Sequence, residues 1–539
     1  MATLLYGGPI YTLIEEGHQV EAVLTKEGRI VETGTVAQLE AAFSNEIDKR
    51  IDLQGCTMIP GIVDSHIHLI GHGERLIRLD LSLCKTRQEV LEAVKAYSLG
   101  LKEGDWLVGE GWNENLWEEP RPLHKAELDE IAPNHPVLLK RICRHAVVAN
   151  SLALKAAGID ENSVVPAGGV ISADESGSIT GVLKDSAQDL LYSVIPPASE
   201  DYLLRAMKAS IHDLYKLGIT GVHTEDLNYY GGFEKTFRVF KRVIEQDGLR
   251  FRAHLLVHHG VIDDFAESGH SFQSGNEWIE FGAMKIFSDG ALGGRTALLS
   301  EPYADEPSTS GVAIFSREEL SELVGKARKY NMPVAIHAIG DLAFEYCLDA
   351  IEANPLNGPG RDRLIHAQIL REDLIERAAR LPVVLDLQPA FLQSDFPWVI
   401  DRIGSERLEH AYAWKTLLDK GIACSGGSDA PIEYPNPYQA IDAAVNRMAG
   451  GKVYGQNQAL SVYEAVSLFT KGSAYAASHE QNRGEIKKGN LADFTILDRN
   501  LFSIPKETLG ETEAVMTIIG GEVVFEKNND RKITLLDFC

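Results

Sequence analysis

The chain has 539 residues, 44% of them hydrophobic, with 52 Lys+Arg against 78 Asp+Glu, a formal net charge of −26. That charge works against nucleic acid and anionic membrane surfaces, whose phosphates select basic proteins. The length permits several domains and a large core.

Six cysteines (Cys56, Cys84, Cys143, Cys347, Cys424 and Cys539) are scattered, with no C-x-x-C pair. Free thiols in a reducing compartment are therefore expected, not a cysteine zinc site. The opening MATLLYGGPIYTL lacks a basic n-region and a secretory cleavage site. No run has the apolar length needed to cross a bilayer. The expected compartment is the cytoplasm.

In chain order, LLYGGPIYTL, QVEAVLTKEGRIVETG and RIDLQGCTMIP read as short strands separated by glycine turns. The next stretch, TMIPGIVDSHIHL, carries His66 and His68 after an apolar run. On a strand, residues i and i+2 share a face, so two imidazoles arrive at one point. Imidazole is a common nitrogen ligand for zinc and similar metals. Alone, the pair is equally readable as two polar residues in a loop.

A long gap follows before the next barrel-type strand, near Gly218, far more than an ordinary βα unit needs. It holds the helical pattern TRQEVLEAVKAYSLGL and the strands DWLVGEGW and PVLLKRICRHAVVA, which reads as an inserted α/β domain. Beyond residue 200 strands alternate with helices: GITGVHTED, RFRAHLLVHH, GAMKIFS, PVAIHAIG, RLIHAQ, VVLDLQP and IACSGGSD, with a helix over Arg317–Lys329. This alternation argues for an (α/β)-barrel. Residues 226–235 and 300–311 read as surface loops. ADFTILD, AVMTIIGGEVVFEK and KITLLDF close the chain as strands, with Gly520-Gly521 as a hairpin turn.

Four residues sit at the ends of the barrel strands. They are Lys285, in the otherwise apolar MKIF, then His337, His366 and Asp429. Each has a bland reading: a snorkelling lysine, a satisfied core histidine, a turn aspartate. Jointly, at the strand ends where barrels place functional groups, and with His66 and His68, they read as one metal site.

These segments carry a resemblance. PGIVDSHIHL, GEGWNENLW, RHAVVANSLAL, GVLKDSA, MKIFSDGALGGRTA, IHAIGDLA, LIHAQI, GGSDAP and GEIKKGNLADFTILD resemble the amidohydrolase superfamily. Within it, they match amidohydrolase family 3, the group with N-substituted formamide deformylase-like proteins. The resemblance implies a (β/α)8 TIM-like metal-dependent hydrolase barrel over 58–70 and 205–479. It also implies a composite β-sandwich from both termini (1–57 and 480–539), rather than two unrelated terminal sheets, and an inserted α/β domain over 71–204.

It further implies that His66 and His68 bind one divalent metal and that His337 and His366 bind a second. Lys285, carbamylated, would bridge the two, and Asp429 would touch the first metal and shuttle protons. Desolvation beside cations lowers a lysine's pKa and frees the amine to react with carbon dioxide. Zinc is the expected metal, although manganese, iron and cobalt suit the same donors.

His145 would donate to the substrate carbonyl, or else serve as a structural histidine of the inserted domain. Trp112, Glu114, Asp289 and Arg295 are candidate substrate residues, and Asp341 a candidate orienter of His337. His223, His254, His258 and His259 read as structural or supporting residues. The implied reaction is hydrolysis of a non-peptide C–N bond in a small molecule. A mononuclear deaminase, an esterase or lactonase, and a metal-free scaffold are the alternatives. Superfamily barrels often associate, so a homodimer is the assembly to test.

Overall fold

The computed structural model describes residues 1–527 and 535–537, apart from Glu119, Arg144 and Ala167. Cys539 and the remainder of the KITLLDF segment lie outside the described residues. The chain divides into two units, Met1–Gly73 with Leu203–Cys539, and Glu74–Tyr202.

The first unit contains the barrel. Its strands are β1 (Ile62–Ile67), β2 (Ile219–Thr224), β3 (Arg252–His258), β4 (Ile279–Phe287), β5 (Val334–Ala338), β6 (Asp362–His366), β7 (Val383–Leu387) and β8 (Ala423–Gly426). They hydrogen-bond in that order, each parallel to the next. Apolar β-branched runs suit strands covered on both faces.

Just beyond β8, backbone bonds reach back to β1. Asp429 N–H donates to His66 O (2.8 Å), and His68 N–H donates to Ala430 O (2.8 Å). The helix Arg317–Lys329 lies where its pattern predicts. A Ser316/Glu319 capping box starts it, Glu318 and Glu319 face its positive end, and Lys326, Arg328 and Lys329 its negative end. Leu320, Val324 and Ala327 form its buried stripe.

Both termini also build one nine-stranded sheet in this unit. The link is antiparallel pairing of Phe494–Leu497 with Thr57–Pro60, which rules out two separate terminal sheets. Leu5, Ile10, Val23, Met58, Phe494, Ile496, Met516 and Ile518 share its core. Met58 and Ile59, expected to open the barrel, belong to this sheet, and only Ile62 onward joins β1. The Gly520-Gly521 hairpin is present; both residues have positive φ (59° and 77°), which a two-residue turn of this hand requires. Leu535–Asp537 pairs with Ile47–Asp52.

The second unit is a six-stranded mixed sheet, in the order Gly169–Ala173, Ile179–Asp185, Ala146–Ala149, Val137–Arg141, Leu107–Trp112, Leu79–Asp80. Helix Arg87–Ser98, started by a Thr86/Glu89 capping box, supplies Val90 and Val94 to its core.

Two expected surface loops are less exposed than their composition suggests. Asp226 and Leu227 are buried, and Phe233 already opens a helix. Tyr303 is buried, with its hydroxyl donating to Ala297 O (2.8 Å). Among the described residues no helix is long and apolar enough to cross a membrane.

Candidate metal centre

The six residues singled out at strand ends converge at the C-terminal end of the barrel. His66 lies in β1 with His68 just after it, Lys285 in β4, His337 in β5, His366 at the end of β6, and Asp429 three residues past β8. Donor atoms of His66, His366 and Asp429 all lie within 4.8 Å of one another, and all three residues are buried. Asp429 Oδ1 is 3.4 Å from His66 Nε2 and 3.3 Å from His68 Nε2. The rings of His66 and His68 are 5.8 Å apart, and those of His66 and His366 5.6 Å.

The loops hold this arrangement tightly. The Asp64 carboxylate accepts His66 N–H (3.0 Å) and Ser428 N–H (3.1 Å), so β1 and the loop after β8 share one anchor. Burial pushes the Asp64 carboxyl up to about 7 even so. A Cβ at Gly427 would meet His66 N at 2.6 Å, so only glycine permits this approach. His366 and Asp429 both have left-handed backbone (φ 79° and 57°). Such non-glycine conformations cost about 1–3 kcal/mol each and gather at functional sites.

The imidazole hydrogen bonds fix which nitrogens carry protons. His366 Nδ1 faces Gln388 Oε1 (2.8 Å), and the Gln388 amide donates to Asp386 O (3.1 Å), so Nδ1–H is the donor. His337 Nε2 faces Gly290 O (3.1 Å) and must donate to it. The two inner nitrogens, His366 Nε2 and His337 Nδ1, then present lone pairs to each other at 2.9 Å. A metal ion held by both nitrogens, or one added proton shared between them, relieves that contact.

Lys285 is fully buried and its Nζ has no hydrogen-bond partner. It lies 3.8 Å from the Phe287 ring centroid. Burial lowers its pKa against the pull of Glu225, Asp429 and Asp386. Burial likewise pushes His66 and His366 well below the usual range. For His68 burial also pushes down, but Asp429 and then Glu225 pull its pKa up and win. Facing lone pairs, an orphaned buried amine and a nitrogen/oxygen donor set fit a divalent metal.

Comparison with known proteins agrees. The model of the amidohydrolase family matches residues 49–525. The chain belongs to the amidohydrolase family.

YtcJ of Bacillus subtilis (strain 168) is 49% identical to this amidohydrolase over 98% of the chain and all of the relative. N-substituted formamide deformylase of Arthrobacter pascens is 28% identical, covering 94% of this chain and 95% of its own. The solved structure of an uncharacterized metal-dependent hydrolase from Pyrococcus horikoshii OT3 matches with a TM-score of 0.79 and 31% identity, over 94% of this chain and 99% of that one. The amidohydrolase is thus a metal-dependent hydrolase with a TIM-like barrel.

The structure gives the expected substrate residues other tasks. Trp112 is fully buried in the core of the second unit, stacked with Trp117 (6.0 Å), and its indole donates to Leu139 O (3.1 Å). It lines no pocket. Glu114 is paired with Arg141 at 2.8 Å. Asp289 is buried and accepts backbone N–H from Leu298 (2.9 Å), Ile339 (3.1 Å) and Gly340 (2.9 Å), which ties the loop after β4 to the end of β5. It lies 3.4 Å from His337 Nε2, the place expected for Asp341. Asp341 is instead engaged by Ser300 and Arg371. Arg295 is committed to Asp305 at 2.9 Å. His145, in the second unit, is exposed and 3.2 Å from Asp185.

Three residues of the centre escaped sequence reading. Glu225, Tyr229 and Gln388 occupy loops or strand ends with no local pattern to mark them. His254 and His479 both contact Glu280 Oε1, the former at 2.9 Å, at the N-terminal end of the barrel. Glu280 is satisfied there by two imidazoles, which ties β3 and β4 to the segment after the barrel. His258 accepts Gly260 N–H at Nδ1 (3.0 Å), and burial holds it neutral, with a pKa down at about 4.

Proposed function

We propose that this amidohydrolase cleaves a carbon–nitrogen bond other than a peptide bond, and that simple amides, N-substituted formamides first, are its substrates. The pair of facing lone pairs on His337 and His366, beside the buried Lys285 and Asp429, carries the reading. The formamide deformylase relative supports the substrate class.

In this reading His66, His68 and Asp429 would hold one divalent metal, zinc before manganese, iron or cobalt, and His337 and His366 would hold a second, with carbamylated Lys285 as a ligand to both. Such ions supply an activated water and polarise a carbonyl. Asp429 takes the attacking water's proton at a carboxylate oxygen and passes it to the departing nitrogen, because an amine leaves poorly unless protonated. Its place near the two Nε2 atoms, 3.4 and 3.3 Å away, and its backbone bond to His66 O keep that carboxylate aimed at the reacting atoms.

The test is turnover of a matched panel of N-substituted formamides, longer amides, esters, lactones and amino-heterocycles by chelator-free protein. Amine release with the highest kcat/KM on formamides is expected. Turnover of esters or lactones alone, or ammonia release from ring amines alone, would overturn the assignment.

A further inference from the structure

Glu225, the residue after β2, has no assigned task, and its surroundings are unusual for a carboxylate. It is 0% exposed. Oε1 accepts the Tyr229 hydroxyl and lies 3.5 Å from His68 Nδ1, whereas Oε2 has no hydrogen-bond partner. A buried charge with an unpaired oxygen costs several kcal/mol unless an opposite charge compensates it. The opposite face of the same imidazole, Nε2, is 3.3 Å from Asp429. His68 is therefore held between two carboxylates, one on the metal side and one behind.

Glu225 is the first of two consecutive acids after β2. Its neighbour Asp226 differs. Its Oδ2 accepts Thr224 Oγ1–H (2.6 Å) and Ile70 N–H (3.3 Å), which bind it to the loop, while its Oδ1, like Glu225 Oε2, has no hydrogen-bond partner.

We infer that Glu225 is a positioning residue for the metal centre. It accepts the Nδ1–H of His68, so that Nε2 faces the cation, and its buried negative charge offsets the positive charge bound there. Tyr229 holds the carboxylate in place through its hydroxyl. A carboxylate behind a metal-bound imidazole raises the ligand's basicity and fixes its tautomer.

A purely structural Glu225 is separable from this role. Glutamine has nearly the same shape and its amide oxygen can still accept from Tyr229 and face His68 Nδ1, so Glu225→Gln removes the charge and puts an amide NH2 at the place of Oε2. The experiment is cobalt(II) binding to metal-stripped protein by competition with a chromophoric chelator, with the visible spectrum of the cobalt-loaded protein. The metal-free Glu225→Gln protein should melt like wild type, bind cobalt about 10- to 100-fold more weakly and show shifted cobalt bands. Tyr229→Phe should give a smaller loss.

Cobalt bound by Glu225→Gln as tightly as by wild type, with an unchanged spectrum, would overturn the role. Should Glu225→Gln not fold, Glu225→Asp, which keeps the charge but draws it back by one methylene, serves instead. Weaker cobalt binding supports the role and unchanged binding overturns it. The inference rests on the metal reading of His68. If that reading fails, wild type also binds no cobalt; if only the Glu225 role fails, wild type and variant bind alike.

Discussion

At the scale of single residues, the protonation pattern is the most informative feature. Gln388 and Gly290 O take the outer protons of His366 and His337, and the inner nitrogens meet at 2.9 Å. Neither histidine can relieve that contact by changing tautomer without losing its outer bond. In the proposed mechanism Asp429 is the group that carries a proton to the leaving nitrogen. Asp429→Asn keeps the side-chain shape and its backbone bond to His66 O. Its thermal midpoint should match wild type while kcat falls by about 100-fold or more, in the range of a lost general acid–base. Wild-type kcat in that variant would remove Asp429 from the proton path.

The residues that were legible in the sequence share one property: each ends an apolar strand, so period and position together gave them away. Glu225, Gln388 and Tyr229 lack that context, and only the closed barrel shows what they touch. Trp112 illustrates the reverse failure. An indole in a glycine-rich strand reads equally as a platform or as core, and burial against Trp117 and Leu139 decides for core.

At the scale of elements, the seam between β1 and the loop after β8 sets the site. Asp64 binds both sides of it, and the backbone hydrogen bonds from Asp429 N–H to His66 O and from His68 N–H to Ala430 O join them. At Gly427 the loop after β8 passes close against β1. In Gly427→Ala the new methyl would meet His66 N at 2.6 Å and Asp64 Oδ1 at 2.9 Å, mostly groups that cannot swing away. Overpacking of this kind costs about 1–3 kcal/mol. The variant should melt lower than wild type and retain less metal per chain. Wild-type metal content in a folded Gly427→Ala protein would mean that the seam does not position the ligands.

The element order itself was readable, because β-branched runs alternate with helical stripes and capping boxes. The exact start of the barrel was not. Met58–Val63 is one run broken only by Gly61, and only the pairing of Thr57–Pro60 and of Ile62–Ile67 separates the terminal sheet from β1.

At the scale of the whole molecule, one polypeptide brings together donors separated by more than three hundred residues, from His66 to Asp429. The excursion between β1 and β2 forms the separate unit Glu74–Tyr202, and its length alone announced it. The nine-stranded sheet needs both ends of the chain, and local pattern could name its strands but not their pairing.

The account predicts one centre of two metals bridged through Lys285. Its most direct test is metal content per chain on protein purified without chelators, with intact mass measured under non-acidic conditions. Two equivalents of metal and the added mass of one carbon dioxide, both lost in Lys285→Met, are the expected result. One metal with an unmodified lysine would contradict the bridged pair, and no metal after reconstitution with bicarbonate would contradict the centre itself.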